Sequence, residues 1–348
     1  MKCLQILCCE FVVSHGISEE GLTEYSIKIL DDLEYYCKSY FYETLIKYNR
    51  LPFHFYYKNY KFDDSKLLKA AIKYNNLEVL KCIKINKFNI IRYHPEYVAI
   101  KHGNIDIFIY LFKKFKLLPN FQIIHKIIFY NRLNFLKYLI REHNYVPVAM
   151  DLTIACEDGN LGIVKFLFKY LDPTIYENNF IATAAINGKL TVVRYLCNHG
   201  LDPTQNDNWA TALAAQAGHL DIVSFLIERL GCAPDGHNNH GLIWASFYGH
   251  YELIEYLISK GADPTAQNHE AITWAIMNNH ISIVKYLYSQ GCDPTKNNES
   301  LLWAIKTKNK DLVRFICEIG CSPSYDNLIY SIGFDKSVYH TLLEFYKK

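Results

Sequence analysis

The most regular feature of the chain is a short phrase in which apolar residues recur at i, i+1 and i+4, as in Ile222, Val223 and Leu226 or Ile283, Val284 and Leu287. That spacing places them on one side of a 3.6-residue period and leaves the other side polar, so each phrase predicts an amphipathic helix. The position of Val223 is filled in turn by Leu80, Phe108, Leu136, Val164, Val193, Val223, Ile254, Val284 and Val313, at spacings of 28, 28, 28, 29, 30, 31, 30 and 29. A chance pattern would drift. A period held over nine copies marks stacked supersecondary units, none of which can bury its apolar face alone.

Upstream of each phrase runs a second apolar segment with a small residue at one register position: Ala71, Ala99, Ala155, Ala184, Ala214, Ala245, Ala275 and Ala304. A methyl group there lets neighbouring helices approach closely, and a larger side chain is expected to cost about 1–3 kcal/mol in overpacking. Ile127 stands at that position in the third unit, which predicts looser or rearranged packing around it. Several of the second helices run into Gly200, Gly231, Gly261, Gly291 or Gly320, where the chain can turn left-handed cheaply. Asp172-Pro173-Thr174, Asp202-Pro203-Thr204, Asp263-Pro264-Thr265 and Asp293-Pro294-Thr295 mark the next turn, since proline forbids helical continuation. Each unit therefore reads as helix, short turn, helix and an extended excursion.

These residues carry a family resemblance. The phrase from Gly218 to Leu226, and Gly261-Ala262-Asp263-Pro264-Thr265, resemble the second half of the ankyrin-repeat unit, and the resemblance covers roughly residues 63 to 348. It implies an all-α fold, an ankyrin-type helix-turn-helix repeat solenoid with about nine recognisable repeats plus caps. The family unit has 33 residues while these have 28 to 31, so the projecting fingers are expected to be shortened. The Thr-Pro-Leu-His opening of the family is missing, with Trp209-Ala210-Thr211-Ala212 and Glu270-Ala271-Ile272-Thr273 at its place. Residues 1–62 are expected to form an N-terminal helical cap or degenerate repeat, 63–325 the array, and 326–348 a truncated capping repeat. Asp335, Lys336, Glu344, Lys347 and Lys348 would suit that repeat's solvated outer face. The short period, the absent motif and a composition rich in Lys, Asn, Ile, Tyr and Phe resemble the divergent ankyrin proteins of large DNA viruses. The resemblance implies a role in protein–protein interaction.

Composition narrows the function further. Half of the residues are apolar and 15% aromatic, enough for a large core. A formal charge of +2 is too small to hold the whole chain on a polyanion. The eleven Cys are scattered without a CxxC pair, which points to reduced thiols and a cytoplasmic setting, host cytoplasm if the chain is viral. The apolar stretch Cys3 to Val13 is interrupted by Glu10 and too short to span a bilayer, so neither a targeting segment nor a membrane partner is expected. The chain carries no GxSxG, Walker, HExxH or GxGxxG motif, so no enzyme activity, cofactor or small-molecule substrate is expected.

Three residue sets could suggest chemistry, and packing explains each. Cys317 and Cys321 with His340 lack zinc-finger spacing and a fourth ligand; Cys232, Cys292 and Cys321 stand where Ala262 does, a position for a small packed side chain. His219, His250 and His280 recur at one position, but packed helices sit about 10 Å apart, too far to share a metal. They read as turn-stabilising donors. Trp244, Trp274 and Trp303 share one register, with Trp209 nearby, and are expected to form a buried ladder, not a ligand site.

Binding is then expected on the loops between units. The candidate partner-binding residues are Tyr176, Asn178 and Asn179; Gln205, Asn206 and Asn208; His237, Asn238 and Asn239; Gln267, Asn268 and His269; and Lys296, Asn297 and Asn298. Their amides supply adaptable donors and acceptors for another protein, held at the finger edge and the first-helix concave face. Charge is uneven: residues 1–150 hold 22 Lys+Arg against 14 Asp+Glu, and residues 151–348 hold 15 against 21. One alternative is a nucleic-acid-binding array using Lys81, Lys84, Lys87, Lys113, Lys114 and Lys116, which read more readily as solvated helix ends. The other is an adaptor that recruits ubiquitin machinery through residues 1–62.

Overall fold

The two register positions found in the sequence organise the core. The residue at the Val223 position is fully buried in all nine units, and so is the residue at the alanine position, Ile127 included. The computed structural model describes residues 64–83, 92–175, 180–297, 299–333 and 335–346, and among these residues there is no strand. They form helix pairs grouped in two compact units, one ending at Pro147 and the other beginning at Val148.

The first unit contains α1 (Asp64–Lys73), α2 (Leu77–Cys82), α3 (Pro95–His102), α4 (Ile105–Phe115), α5 (Phe121–Phe129) and α6 (Leu133–His143). Its core is aromatic: Phe108 packs against Phe112 at 4.3 Å and against Phe135 at 4.9 Å between ring centroids. Ile127 keeps the turn geometry of the other units, since the Arg132 N–H donates to its carbonyl at 2.8 Å as the His219 N–H does to Ala214 at 2.9 Å.

The second unit contains α7 (Ala149–Asp158), α8 (Leu161–Leu167), α9 (Phe180–Ile186), α10 (Leu190–Asn198), α11 (Gln205–Gln216), α12 (Leu220–Leu230), α13 (His240–Tyr248), α14 (Tyr251–Ser259), α15 (Ala266–Met277), α16 (Ile281–Ser289), α17 (Ser300–Lys306), α18 (Lys310–Glu318), α19 (Tyr325–Ile332) and α20 (Lys336–Tyr346). Successive first helices lie close against one another, because the residues between them are small: Ala184 and Ala185, Ala214 and Ala215, Ala245 and Ser246 are all buried. Val, Ile and Leu fill the space under the second helices. In the last pair Asp335, Lys336 and Glu344 are solvated to differing degrees, with Glu344 joined to Arg314 at 3.0 Å, while α19 exposes Tyr325, Ile329 and Ile332. Lys347, Lys348 and the expected cap at 1–62 lie outside the described residues.

The turn inside each pair is built the same way. Four residues after the alanine position the backbone enters the left-handed region, at Asn75, Gly103, Asn131, Gly159, Gly188, Gly218, Gly249, Asn279 and Lys308. At several of these turns the following side chain then reaches back to the preceding unit. His219 Nε2 donates to the Ile186 carbonyl at 3.2 Å, His250 Nε2 to Gln216 at 3.1 Å and His280 Nε2 to Phe247 at 3.0 Å. Arg132 does the same in the first unit, toward Ile100 at 3.0 Å and Lys101 at 2.7 Å. These histidines are donors, as expected, but they tie neighbouring units together rather than their own turns. The carbonyls they take are the unpaired C-terminal carbonyls of the preceding first helix, which would otherwise depend on water.

The loops between units differ from the expected extended excursions. Asn206, Asp207 and Asn208, then His237, Asn238 and Asn239, then Gln267, Asn268 and His269 each form three consecutive left-handed residues. The Asn208 N–H bonds the Thr204 carbonyl at 3.0 Å, Asn239 bonds Asp235 at 2.9 Å and His269 bonds Thr265 at 3.1 Å, so each loop is a tight left-handed turn. Curling the chain in this way joins the corner at Pro203, Pro234 or Pro264 to the next helix in few residues, which is how a unit of about 30 residues dispenses with a hairpin.

Candidate protein-interaction surface

The side of the second unit formed by first helices and loops is assembled from three register columns. One step before each alanine stand Leu213, Trp244, Trp274 and Trp303; five before stand Trp209, His240, Glu270 and Glu299; two after stand Gln216, Phe247, Met277 and Lys306. Positions i, i+4 and i+7 share a helix face, and these residues are half-buried or exposed on it. The indoles are therefore not the buried ladder expected from their register. The alanines behind them fill the seam, and the rings are left at the water boundary. Trp209 meets Trp244 edge-on at 5.3 Å, His237 packs on Trp209 at 4.4 Å, His240 on Trp244 at 5.2 Å, and Phe247 on Trp274 at 5.3 Å.

The loop residues divide into two roles. Asn208 and Asn239 are buried, and each reaches the next loop: Asn208 Oδ1 accepts the Ala233 N–H at 3.1 Å, and Asn239 Nδ2 donates to the Asp263 carbonyl at 2.9 Å. His269 continues this series, its Nδ1 accepting the Asp293 N–H at 3.2 Å, and Asn297 Nδ2 reaches Thr273 Oγ1 at 3.4 Å. The first three hold loop to loop, and Asn297 ties its loop to α15. Gln205, Asn206, Asn238, Gln267, Asn268 and Lys296 are exposed and His237 is half-buried, so the solvated edge consists of these. Tyr176, Asn178, Asn179 and Asn298 lie outside the described residues, as do Lys84 and Lys87.

The corners between loops carry a repeated carboxylate cap. Asp172, Asp202, Asp263 and Asp293 each accept the N–H and the hydroxyl of the Thr two residues on, the hydroxyl at 2.6, 2.7, 2.7 and 2.6 Å. The Thr hydroxyl bond, followed by the N–H bond, holds the carboxyls of Asp172, Asp263 and Asp293 below their ordinary value. The thiols behave as packing groups. Burial pushes Cys292 up to about 12, and its Sγ lies 2.9 Å from the Pro264 carbonyl. Cys317 is pushed up to about 12 and Cys321 to about 11 by burial, and His340 is exposed. Among the described residues no group of three or more His, Cys, Asp or Glu could hold a metal ion, and no helix is long and apolar enough to cross a membrane.

A family model for ankyrin repeats matches residues 124–207, 208–268 and 242–327, more than half of the chain. The chain belongs to the ankyrin-repeat family. Its similarity to individual ankyrin proteins is low. Ankyrin repeat protein R837 of Acanthamoeba polyphaga mimivirus is 24% identical over 218 residues, covering 58% of this chain and 35% of that protein. Ankyrin repeat protein L72 of the same virus is 27% identical over 148 residues, covering 39% and 38%. The matched region thus spans little more than a third of the length of these two relatives. The Trp column was the signal that sequence reading undervalued. Three indoles at one register, beside alanines already assigned to the seam, could have been placed on the outward face by elimination.

Proposed function

We propose that this ankyrin chain is a non-enzymatic interaction module that binds a protein partner through the loop edge and first-helix face of its second unit. The observation that carries the reading is the column of half-buried indoles at Trp244, Trp274 and Trp303 beside Trp209. Large aromatic side chains at the water boundary, with apolar area to bury and an N–H to pair, are typical of the energetic centres of protein interfaces. Exposed Asn206, Asn238 and Asn268 at the edge supply polar contacts around that centre. Kinship with mimivirus ankyrin proteins supports a viral chain acting in host cytoplasm.

Affinity capture from host cells with three forms of the protein tests the reading. The wild type and an outer-face variant, Glu255→Gln with Lys285→Gln on the second helices, should retain the same partners. Trp274→Ala with Asn268→Gly, where glycine keeps the left-handed turn, should lose them while circular dichroism shows the chain still folded. Partners that survive the second variant and vanish with the first would place binding on the opposite side and end the reading.

A further inference from the structure

The chemistry of the proposed face specifies the kind of segment that fits it. Resting on the interaction surface above, we propose that its occupant is an extended stretch of a partner protein with a lysine or arginine at about every third residue.

Charge is the first support. Asp207, Asp235, Asp263, Glu270, Asp293 and Glu299 lie on the loops or first-helix face, against Lys296 and Lys306 as the cations of the same stretch. Arg229, Lys260 and Lys285 sit on or at the end of second helices. The outer side neutralises itself, with Lys260 paired to Glu228 at 2.8 Å and Arg314 to Glu344 at 3.0 Å. Among the described residues none of the six carboxylates enters an ion pair with Lys or Arg. The face keeps a negative potential that a cationic segment would relieve and that a nucleic acid would meet with repulsion.

The indoles are the second and independent support. The Lys306 ammonium lies 3.7 Å from the centroid of the Trp303 ring, on the same helix. The register therefore presents an indole face to which a cation is attracted by the ring quadrupole. On the two preceding first helices the residue corresponding to Lys306 is Phe247 or Met277, uncharged in both cases. Trp244 and Trp274 thus repeat the ring without its cation, beside Glu270 and the loop carboxylates.

Spacing then fixes the pattern of the occupant. Packed helices lie about 8–10 Å apart, and a segment in the polyproline II conformation advances about 3.1 Å per residue with three residues per turn, so every third side chain points the same way. A segment lying across the first helices meets one indole every third residue, so basic side chains at that interval would all find a ring and a carboxylate together.

The four tryptophans of the chain all stand on this face, which makes intrinsic fluorescence a direct reporter. The probe is a synthetic peptide of about twelve residues with lysine at every third position and proline between, which holds the polyproline II conformation. Two controls carry glutamate or leucine at the same places. The full chain should show a saturable fluorescence change with the lysine peptide, weakened at least about fivefold by raising salt from about 0.01 to 0.15 M, and little with either control. Asp235→Asn with Glu270→Gln, two groups whose side chains hold no other part of the fold, should weaken the lysine peptide by about fivefold to tenfold, the scale of removing rim charges. An equal or stronger response to the leucine or glutamate peptide, an unchanged affinity in the double variant, or silence toward all three peptides would overturn the proposal. A leucine peptide that binds alone would refute the cationic chemistry and leave the face intact, whereas the host-cell capture tests the face itself.

Discussion

Asn206, Asp207 and Asn208 hold φ values of 52°, 55° and 61°, and the other two left-handed turns repeat this almost unchanged. A left-handed conformation costs an L-residue roughly 1–2 kcal/mol, and Asn, Asp and His bear it best because their short polar side chains bond locally or across the turn. The amide richness of these loops is therefore first a conformational property. At Asn208 and Asn239 it is wholly structural, since both are buried and bonded to the next loop. Asn238 is the exposed middle residue of its turn and isolates the backbone term. Asn238→Gly should raise stability by about 0.5–1 kcal/mol, and Asn238→Val should lower it by about 1–2 kcal/mol, both read from thermal unfolding. Composition alone displayed the amides; it could not display their φ angles, which follow from how few residues must join two packed helices.

Between elements, the decisive contact is the histidine that lies over the glycine of the preceding unit. A Cβ built on Gly188, Gly218 or Gly249 would stand 2.7 Å from the Cε1 atom of His219, His250 or His280. Glycine is needed there twice, for a positive φ and for the ring above it. Gly231 separates the two needs: its φ of 71° is close to the 79° of Gly218, but nothing lies within 4 Å of its Cβ position. Gly218→Ala should therefore cost about 1–3 kcal/mol more than Gly231→Ala, the scale of overpacking, and adding His250→Ala should remove most of the excess in chemical denaturation. Gly-His reads in the sequence as one dipeptide. In the fold the ring serves the glycine of the unit before it, a pairing that only stacking creates. Where Asn309 stands in place of His, its amide bonds Asn279 Oδ1 at 2.7 Å, and the left-handed position can hold a side chain.

At the scale of the chain, the repeat multiplies one electrostatic device. The Asp-Pro-Thr corner recurs in the second unit, and the Thr hydroxyl and N–H bonds favour the ionised carboxyl of Asp172, Asp263 and Asp293 over the protonated one. A folded-state value below the unfolded one stabilises the fold above the unfolded carboxyl range. That stability is lost as pH falls through the depressed folded value. The contribution of these carboxyls should thus be constant from neutrality to about pH 4, the ordinary carboxylate value, and thermal stability should decline below it. Replacing Thr174, Thr265 and Thr295 together by valine should shrink the decline. A decline of equal size in that variant would show that other carboxyls govern it. The two compact units also differ in charge, since the half up to residue 150 is rich in lysine and the remainder in carboxylates.

The sequence by itself determined the repeat, its register, the buried columns at Val223 and Ala214, the family and the absence of recognisable catalytic motifs, because burial imposes a periodicity that one chain displays to itself. Tertiary structure decided the rest. The left-handed turns, the reach of His250 to Gln216, the burial of Asn208 and the outward placement of Trp244 depend on which neighbour lies across each gap. Register says that residues share a face. It does not say what, if anything, covers that face, and here the small alanines fill the seam and leave the indoles at its edge.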